Sequence, residues 1–483
     1  MGTVPMAEKQ EMVGMGMTAG TGKQEFRTAR RLAAAVLAAA LFMSMTAEAG
    51  VVRKNKGTPV TGGEGPGIGT EASQAASASQ TAETGSGQAA AETAQQAGTG
   101  GTEAAQAAAE TQSAAVDETS AAAQTEAAAA AAYGLLPSPE PLEMPGQEGV
   151  VTLIATGDNL VHKAVYEKAW NPVAGVYDFS WMYDPVRETI CSRDLAVVNQ
   201  ETIFVSDYSL LSDYPTFGTP QEMGDALVGA GFDIVLSATN HTWDKQERGV
   251  RDTLAYWKTN HPEIRLLGIH DSPEAFNTID YVEKNGIRLA MFNYTYGLNG
   301  FSIPASKYYL VNLLSQKDKF LADVRTAEQN ADITVCFLHI GEEYRFQPTA
   351  FQTSWVHQLI DAGADLIICA HPHVVEPYQR VTTAAGNTGV VYYSCGNFLS
   401  TQTRTECILG GLADVVIRKT AEGTRVTDFR FIPTVTHFSG PVEQIYLLSD
   451  YTDELAKVHH TNLTDGALSV ERLRTLWRNV VGE

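Results

Sequence analysis

Residues 365–373 read DLIICAHPH. Five apolar residues, Leu366 to Ala370, run without interruption and then give way to two histidines around Pro372. A short, continuous apolar run of this kind is the pattern of a strand covered on both faces, as in parallel sheets sandwiched by helices. Residues 332–339, DITVCFLH, repeat the pattern and end in His339. Moving outward, VVTLIATGD ends in Asp158, LAVVNQE in Glu201, DIVLSATNH in Asn240 and His241, and VVYYSCGN in Asn397. Strands are expected at 150–157, 195–199, 232–238, 266–269, 287–294, 332–338, 365–370, 390–395, 411–418 and 424–433. Helices are expected at 181–191, 221–230, 246–258, 316–328, 350–362 and 467–481. This alternation indicates an α/β or layered fold. In open α/β sheets the carboxy ends of the strands face one crevice, where ligands bind. Four of the chain's 11 histidines fall at such ends.

Each of these residues also has a plainer role. His371 and His373 are two apart, so on an extended segment both imidazoles address one point; otherwise they are hydrogen-bonded turn residues. Asp158 ends its strand either as a ligand or as the cap of a following helix. If a helix starts at once, His162, four residues on, lies on the same face as Asp158. Glu201 follows an apolar run, where a carboxylate is costly to bury without a cation or donor. Asn240 offers a neutral oxygen, and His241 is either a ligand or a general acid. Asp244 and Glu247 fit a helix capping box, with orientation of His241 as the other reading for Asp244. His339 is a ligand candidate, and Glu343 and Tyr344 stand close enough in sequence to support it or touch substrate. Asn397 reads as a turn residue with a lesser claim on the site. Carboxylate, amide and imidazole donors together suit Mn, Fe or Zn better than Ca or a cysteine-rich structural zinc. Two such ions side by side can clamp a phosphoryl group and acidify a water. No serine or cysteine nucleophile elbow is present.

The first third of the 483 residues is different. Residues 57–149 contain 12 acidic residues, no Lys or Arg, and mostly Ala, Gln, Thr, Ser and Gly. Such a segment buries too little apolar surface to offset ordering entropy, so a disordered, self-repelling linker is expected. Before it, Arg27, Arg30 and Arg31 precede an apolar run that ends in Ala47-Glu48-Ala49, the layout of an export signal at residues 1–56. The run is short of the roughly 20 residues of a membrane span, though a retained N-terminal anchor is the other reading. The chain is therefore expected outside the cytoplasm, membrane-anchored or secreted. The net charge is −22; residues 57–149 account for −12 and residues 1–56 for +4, which leaves −14 for the folded part. An acidic domain of this kind is a poor partner for nucleic acid. The five cysteines show no C-x-x-C spacing and read as small buried hydrophobes.

The motifs TGD (156–158), NQET (199–202), TNHTWD (239–244), LHIGEEY (338–344), DAGADLIICAHPHVVEP (361–377) and YYSCGNF (392–398) resemble, in this order, the CapA family of poly-γ-glutamate capsule biosynthesis proteins. That family is similar in fold to calcineurin-like metallophosphoesterases. The resemblance implies a layered αββα sandwich over residues 150–440, with residues 441–483 a C-terminal helical extension. It implies a two-metal site holding divalent ions (Mn, Fe, Zn or Mg) on Asp158, Glu201, Asn240, His339, His371 and His373. His241 is the implied acid, with Asp244 beside it. A capsule or cell-envelope polymer and a membrane synthase complex are the implied partners. Phosphoesterases of this fold begin Asp-x-His, whereas this chain reads Asp158-Asn159-Leu160, and His162 is the nearest replacement. Gln200, Thr239, Ala370 and Cys395 also depart from the family pattern without removing a proposed ligand. The functional expectation is an exported metal-dependent phosphoesterase-like protein. The alternatives are a non-catalytic accessory subunit that keeps the fold, and cleavage of γ-linked amide bonds.

Overall fold

In a computed structural model of the chain, residues 136–440 and 442–482 are described. The expected export signal and most of the expected linker lie outside these residues. Two sheets carry the core, one of eight strands and one of six. In chain order they use β1 (Val150–Asn159), β2 (Leu195–Gln200), β3 (Ile234–Leu236), β4 (Arg265–Leu267), β5 (Asp280–Lys284), β6 (Ile287–Thr295) and β7 (Ile333–His339). There follow β8 (Leu366–Ala370), β9 (Tyr378–Thr382), β10 (Thr388–Tyr392), β11 (Asn397–Leu399), β12 (Leu409–Thr420), β13 (Gly423–Ser439) and β14 (Val442–Leu447). The first sheet is ordered β14-β13-β12-β1-β2-β3-β4, with β11 also paired to β1; the second is β9-β10-β8-β7-β6-β5. Strands β1 to β4 are mutually parallel, as are β6, β7, β8 and β10. Their carboxy ends therefore share one pole within each sheet.

Strand alternation explains the layers. Val151, Leu153 and Ala155 of β1 face inward and pack with Leu289, Met291, Val335, Phe337, Leu366 and Ile368 of the second sheet. Ile154 points the other way, into a cluster with Val186, Ile190, Met223 and Leu227 from the flanking helices. On the far side of the second sheet, Phe292, Cys336, Ile367 and Cys369 pack on Phe320, Val324, Trp355 and Leu359. Both faces of the central strands are apolar because each sheet has helices on one side and the other sheet on the second. The αββα sandwich is thus the observed architecture. All five cysteines are free, and four of them are buried.

The 441–483 stretch departs from the helical expectation. It begins with the edge strand β14, whose alternating VEQIYL buries every second residue. Helical elements follow: a short helix Asp453–Val458, a 3-10 turn at His460–Leu463, and the helix Val470–Val481, capped by Ser469, which puts Val470, Leu473, Trp477 and Val480 into the inter-sheet core. Residues 139–146, placed in the linker by composition, are fastened to the fold: Arg193 donates from Nη2 to Pro139 O at 2.9 Å, and Gly146 N–H donates to Asp194 Oδ1 at 2.7 Å. Among the described residues no helix is long and apolar enough to cross a membrane.

β14 also carries Glu443, fully buried, accepting from Lys168 Nζ at 3.1 Å. Burial pushes its carboxyl up to about 7, against the pull of Lys168. Between an ordinary carboxylate value and that pH the folded chain holds a proton that the unfolded chain has lost, so stability falls as pH rises through this window. Thermal melts of Glu443→Gln are expected to show a flatter profile between pH 5 and 7 than the parent chain, by a few degrees.

Candidate metal centre

The site is assembled where the parallel strands stop. β1 can end beside β11 because Gly157 lacks a side chain: a Cβ there would lie 1.8 Å from Gly396 O. In register, Asp158 pairs with both Asn199 and Asn397, and His339 pairs with Ala370, so His371 begins just past it. Glu201 follows β2 directly, and Asn240 and His241 lie in the turn after β3.

Six residues expected as ligands come together and are buried: Asp158, Glu201, Asn240, His339, His371 and His373. Asp158 Oδ2 accepts from His371 N–H at 3.2 Å and stands 3.1 Å from His373 Nδ1, with Asn397 Oδ1 3.0 Å away on the same nitrogen. With a proton on Nδ1 shared between these two oxygens, His373 Nε2 is the nitrogen that faces Glu201 Oε1, at 3.9 Å. His339 Nε2 stands 2.9 Å from Asn240 Oδ1 and 3.6 Å from Glu201 Oε1. Ligand atoms of Glu201, His339 and His371 lie within 4.8 Å of one another, and so do those of Asp158, Glu201 and His373. Glu201 belongs to both groups. A third set joins His371 and His373 to Glu343, whose side chain is exposed at the rim.

The histidine pair is not on the extended segment that its spacing suggested. His371 has φ 106° and His373 φ 59°, a left-handed turn that non-glycine residues adopt only when the surroundings impose it. Here the His371 N–H is held by Asp158, and Pro372 O accepts from Tyr344 N–H at 2.8 Å.

Electrostatics favour a cation. Burial, then the Asp158 charge, pushes the Glu201 carboxyl well above its ordinary range. Burial and neighbouring imidazoles hold His339 and His371 well below theirs, in the neutral, ligating form. For His373 burial works downward, but Glu201 and Asp158 outweigh it and raise the imidazole to about 9. Both Glu201 carboxylate oxygens and His371 Nδ1 are buried without a hydrogen-bond partner. Leaving a carboxylate in that state costs several kcal/mol on the order of a broken buried ion pair. The donors present, nitrogen and oxygen without sulfur, fit Mn, Fe or Zn. The residues therefore fit divalent metal.

Asp244 turns out not to cap its helix. The helix Gln246–Asn260 begins at Lys245 with no side-chain cap. The Asp244 carboxylate instead lies 2.6 Å from His241 Nδ1 and accepts from Phe217 N–H at 2.7 Å. A buried imidazole and amide are stronger partners than a helix terminus open to water, so orientation of His241 prevails. His162 is half-buried near the site, but its Nδ1 accepts from Thr401 N–H at 3.3 Å, and it enters none of the metal-compatible groups among the described residues. Burial lowers it to about 4. Asn159 points away from the site, bonded to Gln200 and Tyr183 at 2.7 and 2.8 Å.

Three residues were missed. Asn199 donates to Asp158 Oδ1 at 2.8 Å, and its position two before Glu201 on one strand was the available signal. Asn299 lies 3.1 Å from Asn240 and 3.3 Å from His241. Asn293, inside β6, accepts from Ser237 N–H and Ala238 N–H at 3.1 and 2.7 Å and donates to Phe337 O at 3.4 Å. It thereby ties the turn carrying Asn240 and His241 to the strand carrying His339, across the two sheets. Gly268 is required beside it, since a Cβ there would stand 2.2 Å from Asn293 Oδ1. Asn293→Ala is expected to weaken Mn or Zn binding roughly 10–100-fold by isothermal titration, and Asn293→Asp, which keeps the oxygen that accepts from both N–H groups, by less.

Residues 152–402 match the family described as "Bacterial capsule synthesis protein PGA_cap". The chain is 30% identical over 223 residues to the PGA biosynthesis protein CapA of Bacillus subtilis (strain 168), covering 46% of this chain and 56% of that protein. It is 31% identical over 192 residues to the capsule biosynthesis protein CapA of Bacillus anthracis, covering 38% and 45%. The chain thus spans about half the length of the curated relatives it matches. Among solved structures it is similar to the calcineurin-like phosphoesterase YfkN of Bacillus subtilis, with 12% identity, TM-score 0.32, and coverage of 68% of this chain and 99% of that one. The NAD nucleotidase NadN of Haemophilus influenzae gives 12% identity and TM-score 0.36, with 68% and 60% covered. With a family match over more than half its length, running through every strand end that carries a candidate ligand, the chain belongs to the bacterial capsule synthesis protein family PGA_cap.

Proposed function

We propose that the chain is an exported, metal-dependent hydrolase of the phosphoesterase type, acting outside the cytoplasm in capsule or cell-envelope polymer synthesis. The observation that carries this reading is Glu201, buried, unpartnered and common to two ligand groups. Asp158, Glu201 and His373 would hold one ion, and Glu201, Asn240, His339 and His371 the second. Bound there, divalent ions supply charge to a phosphoryl group and acidify a water. The chain's own contribution is orientation and proton transfer. Asp244 accepts from Nδ1 and so turns Nε2 toward the substrate; in the imidazolium form that Nε2–H is the proton a leaving oxygen would take. Asn199 and Asn397 hold Asp158 and His373 in place.

A second reading, an accessory subunit of a membrane synthase that keeps the fold, draws on Leu160 standing where related phosphoesterases carry a histidine. The two readings separate on turnover of bis(4-nitrophenyl) phosphate and of a γ-glutamyl polymer by the full chain, loaded with Mn and after chelation. Metal-dependent phosphodiester hydrolysis supports the first. Metal binding without turnover of either compound replaces it with the second, and turnover of the polymer alone assigns the chemistry to amide bonds.

A further inference from the structure

Two tyrosines flank the histidine pair at the mouth. The Tyr296 ring is 4.7 Å from that of His371, and the Tyr344 ring 6.2 Å from that of His373. Each is fastened by its own backbone to a segment that bears a ligand: Tyr296 N–H donates to His339 O at 2.9 Å and Tyr344 N–H to Pro372 O at 2.8 Å. Yet 38% of Tyr296 and 37% of Tyr344 remain exposed. Tyr344 holds φ 64°, a strained conformation for a side chain of its size. Strain kept beside a candidate site, on a residue whose ring is left to solvent, points to a binding role for the ring rather than a packing one. Arg404 stacks its guanidinium 4.5 Å from the Tyr344 ring and Gln402 Nε2 reaches its hydroxyl at 3.5 Å, which fixes the ring.

The rim is not cationic. Glu343 acts on Tyr344 more strongly than Arg404 and with opposite sign, and the folded part carries a large acidic excess. A γ-linked polyacid, with one carboxylate per residue, would meet no row of cations here and would be repelled by the chain at large. A neutral ring with flat C–H faces and hydroxyls matches two exposed phenol rings and the exposed Asn299 amide.

We infer that the mouth is a subsite for the organic part of the substrate, and that this part is a sugar ring: the ligand class is a sugar phosphate, with its ring held by Tyr296 and Tyr344 and its phosphoryl group toward the histidine pair. This rests on the phosphoesterase reading above. The test uses the full chain carrying His241→Ala, loaded with Mn, so that ligands bind without being turned over. Glucose 1-phosphate, adenosine monophosphate, glycerol 3-phosphate and oligo-γ-glutamate are titrated calorimetrically. Glucose 1-phosphate is expected to bind about tenfold more tightly than ringless glycerol 3-phosphate. Tyr296→Ala and Tyr344→Ala should each erase most of that ratio, and the Phe replacements should restore it. Equal affinity for the glucose and glycerol esters, preference for the adenine nucleotide or the polyacid, or no binding by any of the four would each overturn the inference. Failure of the phosphoesterase reading shows separately, as absent Mn-dependent hydrolysis of bis(4-nitrophenyl) phosphate by the parent chain.

Discussion

Glu201→Gln is expected to abolish the thermal stabilisation that Mn or Zn confers on the chain, and at the same time to raise the melting temperature of the metal-free protein. The two effects have one origin. Glu201 is fully buried, neither carboxylate oxygen has a partner, and Asp158 adds a second negative charge nearby. Without an ion this arrangement opposes folding, so an uncharged amide of the same shape relieves it by roughly 1–3 kcal/mol, a gain of a few degrees. With an ion, Glu201 is the donor common to both ligand groups, and the amide removes its charge from each. Ligand-linked stabilisation of about 2.7 kcal/mol at a hundredfold excess over Kd should therefore vanish in the variant. Differential scanning fluorimetry with and without metal reads both effects. A variant that melts lower without metal, or keeps the metal-induced shift, would show that Glu201 is a structural residue.

His241→Ala is expected to lower kcat roughly 10²–10⁴-fold while the bound metal per chain stays at the parent level. The imidazole stands beside Asn240 but is missing from the metal-compatible groups among the described residues. Its Nδ1 is occupied by Asp244 at 2.6 Å. Asp244→Asn should reproduce much of the loss, because an amide in that place no longer dictates which ring nitrogen carries the proton. Steady-state kinetics on an activated phosphodiester, set beside metal analysis of the same preparations, check this. Loss of metal along with activity would make His241 a ligand.

Much of this was legible in the chain. All ten strands expected from apolar runs form, because a strand covered on both faces leaves an unbroken hydrophobic signature, as in LIICA and ITVCFLH. The candidate ligands are likewise visible as polar residues that break such runs at a carboxy end. What escaped was of two kinds. Edge strands β5 (DYVEK) and β9 (YQRVT) are half polar and lack the apolar run. β14 lies beyond a stretch that reads as a connection.

The second kind is long-range. Asn293 reads locally as one polar residue in a strand, and only the meeting of the two sheets adds the Ser237 and Ala238 N–H groups to the Phe337 carbonyl of the neighbouring strand as partners of its amide. Asp244 has a sequence neighbour, Glu247, that completes a capping pattern; tertiary structure offered its carboxylate an imidazole 2.6 Å away instead. The left-handed turn at His371 and His373 could not be read from H-P-H alone, since Asp158 and Tyr344, distant in sequence, impose it.

The most direct test is the metal content of the purified full chain after reconstitution with Mn, Fe or Zn and removal of excess ion. Elemental analysis should find about two equivalents of divalent metal per chain, falling to one or fewer in His371→Ala and in Asp158→Ala. A correctly folded parent chain that retains no metal would contradict the account.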